Sequence, residues 1–125
     1  MTHHVAVWID HQEARIYSID VKNIDAIKVE APGRHVHRHP TVTAEHNHPA
    51  DAPHFYADVV RALEGAQEIL VVGPAKAKLE LIKYVHKHHP AFEPKIVGVE
   101  TVDHPSDGQL VAYARRYFHV ADRVH

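Results

Sequence analysis

The chain has 125 residues, 45% hydrophobic and 24% charged, with a formal charge of −2 at neutral pH. This is the composition of a single soluble domain, long enough to bury roughly two-thirds of its unfolded surface. The absence of cysteine excludes disulfides and thiolate metal sites, and the balanced charge excludes a global basic field for nucleic acid. Taken in chain order, "VAVWIDHQEARIYSI" reads as two strands around a tight turn at His11-Gln12-Glu13. The first strand is almost wholly apolar, as in a strand buried on both faces. "NIDAIKVE" is a third strand with imperfect alternation, expected at a sheet edge. Residues 31–52 hold Pro, Gly, His and Thr without apolar period, and read as a mobile His-rich loop. Pro53 opens a helix with Phe55, Val59, Ala62 and Leu63 on one face, ended near Gly65. "EILVVGPA" is a short β-branched run, the mark of a central parallel strand. "AKAKLELIKYVHKHH" is the next helix, with Leu79, Ile82 and His86 on one side and Leu81 and Val85 beside them. Pro90 and Pro94 bracket the connection to a fifth strand, "KIVGVE".

The last helix starts at Ser106. Gln109 stands three residues on, as a capping box requires, so "SDGQ" reads as a helix start rather than as exposed reactive chemistry. Asp107 suits the positive end of the helix dipole, and Arg115 and Arg116 the negative end. Leu110, Ala114 and Phe118 repeat at helical spacing, with Val111 and Tyr117 beside them, and residues 119–125 are expected to be a loose tail. Three strands followed by helix, strand, helix, strand, helix predict an α/β domain. Its mixed five-stranded sheet takes the order 3-2-1-4-5, a ribonuclease H-like arrangement with three main helices. Ligands would then meet the carboxyl ends of strands one, four and five, which carry Asp10, Gly73-Pro74 and Glu100-Thr101. The N-terminus has no basic segment followed by an apolar run, and nothing is long enough to span a bilayer, so a cytoplasmic protein without a membrane partner is expected.

The segments "VWIDHQEARIY", "EILVVGPAKAKLELIKYV" and "IVGVETVDHPSDGQLVAYARRYF" resemble small bacterial translational machinery proteins. These are stand-alone relatives of the middle domain of the eukaryotic and archaeal peptide-chain release factor and of Pelota. In release factors the resemblance implies a Gly-Gly-Gln loop that promotes peptidyl-tRNA hydrolysis, placed after the early strands and before the first long helix. The matching segment here, "APGRHVHRHPTVTAEHNHPADAPHF", contains no glutamine, and Gly108-Gln109 lies two strands later. The resemblance therefore implies a translation-associated protein that binds ribosomal or transfer RNA without release chemistry.

Fifteen histidines are the unusual feature, because each can gain charge near neutrality. In an extended segment His35, His37 and His39 would line one face, alternating with Arg34, Val36 and Arg38. With His46, His48 and His54 they could hold Zn²⁺ or Ni²⁺, which makes a divalent-metal-binding protein one alternative. The same residues also read as a cationic arm for RNA phosphates, with Arg34, His35, His37, Arg38 and His39 as contacts. A plain solvated loop is the third reading. "GPAKAK" offers Lys76 and Lys78 to an anion at a helix start, although tight strand-to-helix packing explains Gly73 and Pro74 equally well. Asp10, Glu100, Asp103 and Asp107 are the carboxylates available to a hydrolase acting on RNA or peptidyl-tRNA, but strand four ends in Gly-Pro and supplies none. His104 beside Asp103 is either an oriented base or part of the loop before the cap.

Overall fold

A computed structural model describes residues 4–19, 26–31 and 47–124, with backbone alone for 47–53 and 120–124. The strands are β1 (His4–Ile9), β2 (Glu13–Ser18), β3 (Ala26–Glu30), β4 (Glu68–Gly73) and β5 (Ile96–Thr101). The helices are α1 (Asn47–Ala62), α2 (Ala77–His88) and α3 (Asp107–Val124), and a 3₁₀ helix over Pro90–Lys95 precedes β5. The sheet order is β3-β2-β1-β4-β5, as the element pattern predicts. β1 runs antiparallel to β2 and parallel to β4, β2 runs antiparallel to β3, and β4 runs parallel to β5.

Every residue from His4 to Ile9 is buried, because the two faces of β1 feed two separate cores. Val5, Val7 and Ile9 pack with Ile69 and Val71 under Phe55 and Val59 of α1, Leu63 just after it, and Leu81 and Val85 of α2. Ala6 and Trp8 pack with Leu70 and Val72 under Leu110, Ala114 and Phe118 of α3. A continuous apolar run is required wherever helices cover both faces of a parallel pair. β3 and β5 form the edges, and their exposed Ile27, Val97 and Val99 show how little covers them.

Two glycines set approach distances. A Cβ on Gly73 would lie 2.2 Å from the Ile9 carbonyl oxygen, so the end of β4 can lie against β1 only without a side chain. At Gly98 a Cβ would meet the Tyr117 hydroxyl at 2.1 Å, where that hydroxyl donates to the Val97 carbonyl at 3.1 Å and fastens α3 onto β5.

Three boundaries and faces differ from the sequence expectation. α1 starts at Asn47 rather than at Pro53. Pro49 takes the first-turn place where a missing N–H breaks no bond, and the helix runs on through Pro53, which lacks one rung of the ladder. α3 continues to Val124, so 119–124 is helical backbone rather than tail, since no Gly or Pro after Gly108 stops it. In α2 the buried stripe is Ala77, Leu81 and Val85 with the stem of Lys78, while Leu79 is 51% exposed. No helix among the described residues is long and apolar enough to cross a membrane.

Gly73→Ala is expected to lower stability by about 1–3 kcal/mol, because the added methyl overpacks the β1–β4 contact. Gly108 has open space around it, so Gly108→Ala should be neutral or add up to about 1 kcal/mol through helix propensity. Urea unfolding of the two variants reads both signs, and a tolerated Gly73→Ala would contradict the packing.

Candidate functional site

β1, β3, β4 and β5 all end on one edge of the sheet, and the site is built there. Asp10 closes the β1–β2 turn: its Oδ1 accepts the backbone N–H of Gln12 at 2.8 Å and of Glu13 at 2.9 Å. Its own N–H donates to the Glu13 carbonyl at 3.0 Å, and the Ala31 N–H reaches the Gln12 carbonyl at 2.8 Å. The turn that displays His11 is thus fixed both by its own Asp and by the end of β3.

Glu80, in the first turn of α2, joins three elements. Its Oε1 accepts the Tyr56 hydroxyl of α1 at 2.7 Å and lies 3.2 Å from His11 Nε2. The Tyr56 hydrogen bond holds the Glu80 carboxyl below its ordinary range; burial opposes this, and His11 and Lys83 add to the lowering. Burial first, and then Glu80, push the Tyr56 phenol up. At neutral pH the pair is therefore a neutral donor on a fixed anion, which clamps α1 to α2.

The face under α3 carries a second network. The Trp8 indole N–H donates to the Asp103 carbonyl at 2.7 Å, the His104 ring lies 5.1 Å from the Trp8 ring, and the Arg15 guanidinium sits 5.7 Å above it. Tyr17 donates to Asp107 Oδ1 at 2.7 Å, with Arg15 3.6 Å from the same oxygen. Burial and Asp107 together raise the Tyr17 phenol to about 12.

These networks engage the carboxylates singled out in the sequence. Asp10 holds the turn, Asp107 holds Tyr17, and Asp103 lies 2.9 Å from the His104 Nδ1 beside it. Glu100 meets the Tyr113 hydroxyl, whose pKa burial and then Glu100 raise. Among the described residues no three His, Asp or Glu side chains are placed to hold a metal ion. Lys76 stands exposed just before α2, at the carboxyl edge. Lys78 is only 6% exposed and its ammonium donates to the Ala75 carbonyl, so its charge is turned back onto the helix start. His54 is exposed on α1. Arg34, His35, His37, Arg38, His39 and His46 lie outside the described residues, as does the side chain of His48.

The capping box forms as expected. The Ser106 N–H donates to Gln109 Oε1 at 2.9 Å, and the Gln109 N–H donates to Ser106 Oγ at 3.2 Å. The Gln109 backbone N–H and side-chain oxygen thereby both serve the start of α3. Missed in the sequence was the Tyr56–Glu80–His11 set. Its members are far apart along the chain, and no local spacing marks them.

No protein-family model matches the chain, and no curated protein is significantly similar to it. Solved structures do share its fold. Pelota from Thermoplasma acidophilum superimposes with a TM-score of 0.62 at 20% identity, over 92% of this chain and 33% of that one. Pelota from Archaeoglobus fulgidus gives 0.55 at 14% identity, over 97% and 35%. The archaeal translation termination factor aRF1 gives 0.51 at 11%, over 96% and 39%. The chain thus spans between 33% and 39% of the length of these proteins. The likeness to Pelota and release factors carried by the sequence segments is met in the fold.

Ser106→Ala should cost about 1 kcal/mol through the lost cap, and Gln109→Ala less. Tyr56→Phe should move the Glu80 pKa upward, toward the ordinary carboxylate value, as read by carboxyl ¹³C shifts. Because the folded-state pKa of Glu80 is lowered, its contribution is present above the unfolded-state value and fades as pH falls through the folded-state one. Wild type should therefore lose more stability on acidification than Tyr56→Phe. Equal acid sensitivity of the two proteins would show that the clamp contributes nothing.

Proposed function

We infer that this chain is a translation-related protein that acts by binding ribosomal or transfer RNA, and that it does so through the carboxyl edge of its sheet. The observation that carries this reading is a fold shared, over nearly the whole chain, with Pelota and with an archaeal translation termination factor. Geometry adds support. The chain leaves β3 at Ala31, beside the His11 turn, and returns in α1. From Tyr56, which stands level with Glu80, α1 extends back to Asn47 for a further ~13 Å at 1.5 Å per residue. Both ends of the segment that holds Arg34, His35, His37, Arg38 and His39 are therefore rooted on the edge that also displays Lys76.

The sequence has no Gly-Gly-Gln, and Gln109 is held in a helix cap. Binding without release chemistry is accordingly the reading, and Gln109→Ala is expected to leave RNA binding unchanged. The experiment is co-sedimentation of untagged protein with ribosomes across salt and pH. Affinity should fall with log salt at a slope near −0.7 to −0.9 per phosphate contact, and Arg34→Ala with Arg38→Ala should remove about two contacts from that slope. Affinity should strengthen from about pH 8 to pH 6 as the histidines gain charge. If binding is absent at low salt and pH 6 while Zn²⁺ or Ni²⁺ binds stoichiometrically at pH 8, the RNA reading fails. His35, His37, His39, His46 and His48 are then metal ligands, because only neutral imidazole ligates. Turnover of peptidyl-tRNA or RNA by the purified chain would instead make it a hydrolase.

A further inference from the structure

The opposite edge of the sheet holds a concavity that the RNA reading does not use. α2 returns the chain to the start of β5, so its last turn, with His86, Lys87 and His88, lies at the amino edge. His89 ends the helix, its N–H bonded to the Val85 carbonyl at 2.8 Å, and Pro90 turns the chain into the 3₁₀ helix. The corner so formed is an open concavity of about 410 Å³, lined by His88, His89, Pro90, Ala91, Phe92 and Lys95. That volume is within the range of small-molecule sites, roughly 300–1,000 Å³.

Its walls are preorganised. The His88 and His89 rings lie 4.6 Å and 5.6 Å from the Tyr84 ring, which itself rests 6.0 Å from Tyr56 of α1. The Lys95 ammonium is 5.3 Å from the centroid of the Phe92 ring and has no carboxylate partner among the described residues. The nearby acid, Glu93, lies 2.9 Å from His86 Nδ1 and is already matched. Complementing the negative end of α2 accounts for His86, Lys87 and His88, but not for Lys95 or for the concavity. A metal does not fit, since no three ligating side chains converge among the described residues. What the concavity offers is imidazole surface at His88 and His89, with the part-buried Phe92 ring beside a cation that meets no carboxylate among the described residues. Planar bases stack on such surface, and a phosphate pairs with such a cation.

We propose that this corner binds a nucleoside monophosphate unit, either as a free nucleotide or as one residue of a single-stranded RNA, with the base against the His88–Phe92 wall and the phosphate on Lys95. The proposal is independent of the carboxyl-edge reading, and its test uses neither ribosomes nor the His-rich segment. Amide shifts of the full chain are followed during separate titrations with AMP, a tetranucleotide RNA and inorganic phosphate at low salt. Saturable shifts confined to residues 88–95 are expected with AMP or the tetranucleotide, at a Kd of about 1 mM or tighter. AMP alone binding marks a free nucleotide, and a tighter tetranucleotide marks an RNA strand. Lys95→Gln should weaken binding roughly tenfold without change in Tm, and His88→Ala should weaken it as well, with a small loss of Tm from the helix end and the Tyr84 contact. The proposal is overturned if neither probe saturates, if inorganic phosphate binds as well as AMP, or if Lys95→Gln leaves the Kd unchanged.

Discussion

The parallel contact of β1 with β4 is the constraint on which the other elements depend. From Val5 to Ile9 and from Ile69 to Val72 both strands are buried on both faces. Fully burying one such aliphatic side chain stabilises the fold by about 1.5–3 kcal/mol, and that gain requires helices on each side. α1 and α2 cover one face and α3 the other. The pair runs in continuous register from His4–Glu68 to Trp8–Val72, and ends where Gly73 lies against the Ile9 carbonyl. Because the glycine permits this approach, the β1–β2 turn and the start of α2 come close enough for His11 to meet Glu80.

Unequal helix cover gives the two halves of the sheet different characters. One helix cannot cover the whole of its face, so the β2–β3 half carries charge instead. Glu13 is buried between Arg15 at 2.9 Å and Lys28 at 3.4 Å, and Lys28 also lies 3.6 Å from Glu30. The cationic partners remain partly exposed, which limits what each pair contributes to stability even though Glu13 itself is buried. A lysine on an edge strand does, however, oppose pairing with other strands. Trp8 stands at the boundary between these zones. Its ring belongs to the core, while its indole N–H is satisfied by the Asp103 carbonyl in the loop before α3.

The two ends of the sheet differ in the same physical terms. At the carboxyl edge most charged groups are already engaged: Asp10 in its turn, Glu80 in the clamp, Asp107 under Tyr17, and Lys78 on Ala75. That edge is a rigid base for the attached segment, with Lys76 as a displayed cation. At the amino edge the rings of Tyr84, His88, His89 and Phe92 form a surface beside Lys95, whose charge meets no carboxylate among the described residues. Engaged groups hold shape, whereas unmatched groups beside open space can recruit a ligand.

The sequence by itself determined the sheet order, the central place of β1 and β4, the edge position of β3 and the cap at Ser106–Gln109. Each is written in local signals: unbroken apolar runs, chain order with handed crossovers, and residues three apart that share two hydrogen bonds. Helix ends were less legible, because Pro49 and Pro53 both suit a first turn and nothing after Gly108 marks a stop. Only the tertiary structure decided which charges are free. Lys76 and Lys78 look alike in "GPAKAK", yet the helical rotation between them buries one and exposes the other. Only it brought together Tyr56, Glu80 and His11, or set Lys95 beside the His88–His89 corner. A burial stripe is a property of one element, but an ionisable group's state depends on what a distant part of the chain places within a few ångströms of it.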